Sequence, residues 1–131
     1  MTNRRLNNSC TTSILCFQIT KMTVTHIVLL SFKASISQED VKAACARFVG
    51  LKDACVDPKS GSPYILSLKG GKDNSPEGLQ NGLSHGFVVE FASAADRDYY
   101  VSNDPAHQSF VKSIDGVVDK LTVLDFENGE F

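Results

Sequence analysis

Apolar and polar residues fall into blocks of two periods along this chain. Thr23 to Phe32, T-V-T-H-I-V-L-L-S-F, is rich in β-branched and aromatic residues and predicts a strand. Both of its alternating phases are apolar through Ile27, Val28, Leu29 and Leu30, which predicts that both faces are covered. From Ser37 the spacing becomes helical. Asp40 stands three residues after Ser37, a capping-box spacing, and Val41, Ala44, Cys45, Phe48 and Val49 share one stripe. Pro58 and Gly61 end that helix. Pro63 to Lys69 predicts a second strand closed by a turn at Gly70-Gly71, and K-D-N-S-P-E-G-L-Q-N-G then reads as an exposed loop.

Gly86 to Phe91 predicts the third strand. Ser93, with Asp96 three residues on, opens a second helix through Asp98, Tyr99, Tyr100 and Val101. Ser102-Asn103-Asp104 interrupts it, and the chain restarts with an aspartate able to cap and a proline suited to the first helical position, Pro105. In this last helix His107, Phe110, Val111 and Ile114 stand at i, i+3, i+4 and i+7, on one face. Gly116 ends it, and Asp119 to Phe126 predicts the fourth strand.

The order βαββαβ predicts an α+β, ferredoxin-like arrangement, a four-stranded antiparallel sheet with its helices on one face. The other face is left bare although its residues are apolar. A second copy of the chain is the expected cover, giving a homodimer in which two sheets close into a barrel and bury on the order of 2,000 Å².

Composition narrows the classes. At 131 residues, with 42% apolar and 21% charged, residues 22–131 are enough for one core. A net charge of -2 with scattered lysines gives no basic field for nucleic acid, and no apolar run nears the roughly 20 residues of a membrane span. Residues 1–21 stand apart: Arg4, Arg5 and Lys21 are their only charges, and the first acid of the chain is Glu39. They read as a disordered leader or as sequence upstream of a true start at Met22, with an organelle-targeting peptide as the alternative; the expected location is cytoplasmic. Cys10, Cys16, Cys45 and Cys55 lack zinc spacing and read as free thiols of a reducing compartment. Neither a metal nor a cofactor is expected. Gly70-Gly71-Lys72 lacks the spacer and hydroxyl of a phosphate loop.

Three patches, V-T-H-I-V-L-L-S-F-K (24 to 33), L-S-H-G-F-V-V-E-F-A-S (83 to 93) and R-D-Y-Y-V-S-N-D-P-A-H-Q-S-F-V (97 to 111), with V-L-D-F near the end, carry a family resemblance. On them the chain resembles the stress-responsive A/B barrel family, the dimeric α+β barrel or Dabb domain. That family includes plant stress-induced proteins and olivetolic acid cyclase, which closes a linear polyketide by aldol condensation. The resemblance implies that His26 and His107 are working groups, with a tyrosine from the helix before the P-A-H block. Tyr100 is one residue further from the proline than the cyclase's tyrosine, so Tyr99, Tyr100 or neither faces the cavity. Asp104 replaces the cyclase's histidine before proline, and is expected to change the charge at the pocket mouth.

Each of these residues also has a structural reading. His107, in a first helical turn, meets the positive helix end, which favours a neutral ring able to take a proton; an inward histidine satisfied by one hydrogen bond looks the same. His26 shares the strand phase of Val24, Val28 and Leu30, where a polar ring needs a partner. His85 precedes the third strand, where bonding to the loop is the common outcome, and Tyr64 reads as strand packing. The resulting expectation is catalytic His107, His26 and Tyr100, with His85, Tyr99 and Phe110 binding an apolar, carbonyl-bearing, polyketide-like ligand. Cofactor-free proton transfer in a cyclase or lyase is one function; a non-catalytic stress-response dimer that binds ligands or partners is the other.

Overall fold

The computed structural model describes residues 22–131. The leader and its two cysteines, Cys10 and Cys16, lie outside the described residues. Strand β1 (Val24–Phe32) is followed by helix α1 (Gln38–Ala54), strands β2 (Ile65–Lys72) and β3 (His85–Phe91), helices α2 (Ala94–Ser102) and α3 (Pro105–Ile114), and strand β4 (Val118–Glu127). The strands form one antiparallel sheet in the order β2-β3-β1-β4, so the two sequence-distant strands β1 and β3 are central. This is the ferredoxin-like α+β arrangement, with the second helix broken in two.

Side-chain caps start all three helices. Ser37 Oγ accepts from the Asp40 N–H at 3.1 Å, Ser93 Oγ from the Asp96 N–H at 3.1 Å, and Asp104 Oδ1 from the Ala106 N–H at 2.9 Å. Pro105 then occupies the start of α3, where its missing N–H costs nothing. Cys55 caps the end of α1 and, like Cys45, is a free thiol.

One face of the sheet takes all the helices. Val24, Val28 and Leu30 of β1 and Phe87, Val89 and Phe91 of β3 are buried there against Phe48, Leu51, Tyr100 and Phe110. Phe48 of α1 stacks on Phe87 at 4.0 Å and 10°. The opposite face has no cover among the described residues: Ile27 and Leu29 of β1 are half-buried, while Leu124 and Phe126 of β4 are 62% and 43% exposed.

Gly70-Gly71 is not a turn. Both glycines continue β2, pairing with Phe87 and Gly86. A Cβ on Gly70 would overlap the Phe87 ring, so the glycine is needed for the close approach of that ring rather than for a bend. The exposed loop accordingly begins after Lys72. Of the predicted α1 stripe, Val41, Ala44 and Phe48 are buried and Leu51 extends it, whereas Val49 is exposed.

Candidate functional site

Antiparallel pairing of β1 with β4 sets His26 opposite Asp125. Both side chains stand on the helix-covered face, where His26 is only 5% exposed. His26 Nδ1 lies 2.6 Å from Asp125 Oδ1, and Arg97 of α2 donates from Nη1 to the other oxygen, Oδ2, at 2.8 Å. Arg97 Nε donates to Asp98 as well, at 2.8 Å. A carboxylate flanked this way only accepts, so the proton of the shared bond belongs to His26 Nδ1, and Nε2 is left for other partners.

Tyr100, buried from α2, sets its ring edge-on to His26 at 5.7 Å and 75°. Its phenol is pushed above the ordinary range by burial, with Cys55 and Asp104 acting in the same direction. It therefore remains a proton donor at neutral pH. His107 follows from the first turn of α3, with its ring centroid 3.9 Å from that of Tyr100. Its Nδ1 is buried and has no hydrogen-bond partner among the described residues. Burial is the leading cause holding this imidazole below its ordinary value; the nearby His26 adds to it, while the Tyr100 backbone and Asp104 partly offset it. The ring is neutral near pH 7 for a reason other than the helix end.

These three side chains line a cleft of about 210 Å³ between the sheet and helices α2 and α3. Val28 and Leu30 floor it, Phe48 and Phe110 wall it, and Val111 and Val123 stand at its edge, both well exposed. Larger clefts, of about 520 and 440 Å³, lie around His85, yet neither brings two titratable rings together with a phenol. Convergent polar groups in apolar walls, more than volume, mark a site for chemistry.

The other expected site residues separate. Phe110 is in the cleft wall, tilted against Phe48 at 5.0 Å. His85 is not in this cleft. It pairs with Leu30, four residues along β1 from His26, which is roughly 13 Å at strand spacing. Its Nδ1 is 2.9 Å from Ser84 Oγ and its ring meets Phe32 edge-on at 5.2 Å. Tyr99 also lies outside, turned toward Tyr64 at 5.7 Å. Adjacent helical residues point about 100° apart, so Tyr100 facing in sends Tyr99 out.

Asp104 is not at the pocket mouth. It is 1% exposed and accepts from the Tyr64 hydroxyl at 2.5 Å and from the Ala106 N–H. Cys55 lies against the same carboxylate, and burial, with that carboxylate acting in the same direction, pushes its thiol up to about 12. Tyr64, expected only to pack, is thus the hydrogen-bond donor that balances a buried charge. Asp125 and Arg97 were absent from the sequence reading. The available signal was an acid on the apolar phase of Leu121 and Val123. Among the described residues no three His, Cys, Asp or Glu side chains are grouped to hold a metal, and no helix is long and apolar enough to cross a membrane.

Fold and cleft together define a ferredoxin-like α+β protein with a histidine pair and a buried tyrosine between one sheet face and its helices. The chain belongs to the stress-responsive A/B barrel domain family, whose sequence model matches residues 24–128. It is 30% identical over 104 residues to the stress-response A/B barrel domain-containing protein HS1 of Arabidopsis thaliana, covering 79% of this chain and 88% of that protein. Among solved structures it is similar to the hydroxynitrile lyase of Passiflora edulis, with 26% identity and a TM-score of 0.71 over 83% of this chain and 96% of that one. A dimeric, ferredoxin-like Bacteroides fragilis protein of unknown function shares the fold at 18% identity, with a TM-score of 0.58 over 80% of this chain and 95% of that one.

Proposed function

We propose that this A/B barrel protein is a homodimer whose cleft binds a small apolar carbonyl compound and moves a proton on it without a cofactor, in a cyclisation or lyase reaction. The observation that carries the reading is the unpartnered Nδ1 of His107, buried beside Tyr100 in a cleft with otherwise apolar walls. A buried ring nitrogen left without a partner in such a place costs folding free energy, about 1–3 kcal/mol, which a bound ligand would offset. In this scheme neutral His107 removes a proton α to a carbonyl. The Tyr100 hydroxyl donates to the developing oxyanion, and His26, held through Nδ1 by Asp125, brings Nε2 to the same cleft as a further hydrogen-bonding atom. Asp125, clamped by Arg97, fixes the orientation of the His26 ring.

Two comparisons support parts of this. The Passiflora edulis relative is a lyase acting on a hydroxynitrile, and the Bacteroides fragilis protein is dimeric. The bare apolar sheet face gives this chain its own reason to dimerise.

The test is an assay of the purified protein on a linear polyketone acid and on an aromatic cyanohydrin, with His107→Ala, His26→Ala and Tyr100→Phe compared. Loss of turnover by about 10²-fold or more in folded, dimeric variants supports the proton-transfer reading. Ligand binding with no turnover in the unaltered protein replaces it with the non-catalytic reading, and variants as active as the parent overturn it.

A further inference from the structure

A second cleft lies on the helix-covered side of the sheet, at the other end from His26. It runs between α1 and the edge strand β2, has a volume of about 440 Å³, and does not include His26, Tyr100 or His107. The stacked rings of Phe48 and Phe87 form the partition: Phe48 lines the histidine cleft and Phe87 lines this one. Gly70 of β2 has no Cβ, so the Phe87 ring lies directly against its backbone and forms one wall of the cleft.

Its chemistry is one-sided. Val41, Val49, Cys45 and Phe87 make an apolar lining, and among the described residues the only full charges on it are the ammonium groups of Lys42 from α1 and Lys72 from β2. Neither lysine has a carboxylate within ion-pair distance among the described residues, and residues 1–21 contain no acid that could supply one. The first-turn acids Glu39 and Asp40 do not line the cleft, whereas Gln38 does. His85 completes the lining beside Lys72, and its ring is held below its ordinary value by burial and then by that lysine. Two unpaired cations at the rim of an apolar trough of ligand size set a positive potential over a surface that favours hydrocarbon.

We infer that this cleft between α1 and β2 binds a small amphipathic carboxylate, its anionic head between Lys42 and Lys72 and its apolar body along Val41, Val49 and Phe87. Both features are required. A neutral apolar compound would leave the ammonium groups unanswered, and a polar anion would leave the trough wet.

Octanoate is the probe, with octanol and octylammonium as controls, titrated into the full chain while backbone amide shifts are followed. Octanoate should shift the amides of Lys42, Val49, Lys72 and His85 and leave those of His26 and His107 unmoved. Octanol and octylammonium should bind at least roughly tenfold more weakly, and raising the salt should weaken octanoate. Lys42→Gln with Lys72→Gln, both exposed positions that leave the fold intact, should weaken octanoate roughly tenfold or more. Val49→Phe, which fills the trough from an exposed position, should weaken octanoate and octanol alike. The inference is overturned if octanol binds as tightly as octanoate, if the double lysine variant binds unchanged, or if the shifts fall at the histidine cleft.

Discussion

Tyr100 and His107 lie nearly ring on ring, their centroids 3.9 Å apart and their planes inclined by 30°, although they belong to different helices. The break between α2 and α3 makes this possible. The N–H groups of Asn103 and Asp104 both return to the Tyr99 carbonyl, at 2.8 and 2.9 Å, and Asp104 then caps a new helix in a new direction. A continuous helix would put residues seven apart two turns, or about 10.5 Å, from one another along its axis. The interruption is therefore what assembles the pair.

The pair carries a pH dependence. His107 in the folded protein lies below its ordinary value of 6.5, so below that pH the unfolded chain binds the proton that the native state resists. Stability should fall as pH drops from 6.5 through the folded value, and level off beneath it. His85, lowered by burial and Lys72, contributes with the same sign. Urea unfolding across this range, compared with His107→Gln, should show a shallower slope in the variant; an unchanged slope would mean the ring is not resisting protonation.

A second prediction concerns the charge behind the cleft. Asp104 is 1% exposed and relies on Tyr64, the Ala106 N–H and the adjacent Cys55. Tyr64→Phe keeps the ring contacts to Phe91 and Tyr99 but withdraws a donor from a buried carboxylate. The expected loss is about 1–3 kcal/mol, read from the urea midpoint at constant slope. Because Asp104 also begins α3, the His107 amide should report the change.

The two glycines of β2 make a paired prediction. Gly70→Ala forces a Cβ into the Phe87 ring and so into its stack on Phe48, which should cost about 1–3 kcal/mol. Gly71→Ala meets nothing within 4 Å and should be near neutral. Equal thermal shifts in the two variants would refute the account of why β2 runs straight through this dipeptide.

That dipeptide also shows where reading the chain stops. Element order, helix starts at Ser37, Ser93 and Asp104, and the inward phase of His26 were legible because caps and periodicity are local. Gly70-Gly71 read as a turn because its role depends on a ring on the neighbouring strand. Asp125 and Arg97 passed unnoticed since only the pairing of β1 with β4, 99 residues apart at His26 and Asp125, gives them a partner. Asp104 was placed at the pocket mouth by its match to the histidine before proline in the cyclase it resembles, whereas a cap, a phenol and a thiol together hold it inside.

The last prediction concerns the uncovered face of the sheet. Ile27, Leu29, Leu124 and Phe126 are aligned there by the register of β1 with β4, and Leu124 is the most exposed of the four at 62%. Apolar area of this kind is worth about 25 cal/mol per Å² when removed from water, so a sheet-on-sheet interface of the obligate class supplies a large driving force. The face is not wholly apolar: Thr25 donates to Glu90 at 2.9 Å, which occupies one carboxylate oxygen before any partner arrives. A charge placed at the centre of the patch would have to be desolvated twice in a two-fold assembly, once from each copy. Leu124→Lys should therefore shift the protein from dimer toward monomer in sedimentation at micromolar concentration, and lower the unfolding midpoint in a concentration-dependent way. Since Leu124 makes no contribution to the helix-side core, a monomer that stays folded would separate the two faces, whereas a parent protein that is monomeric at the same concentration would remove the reason for the barrel.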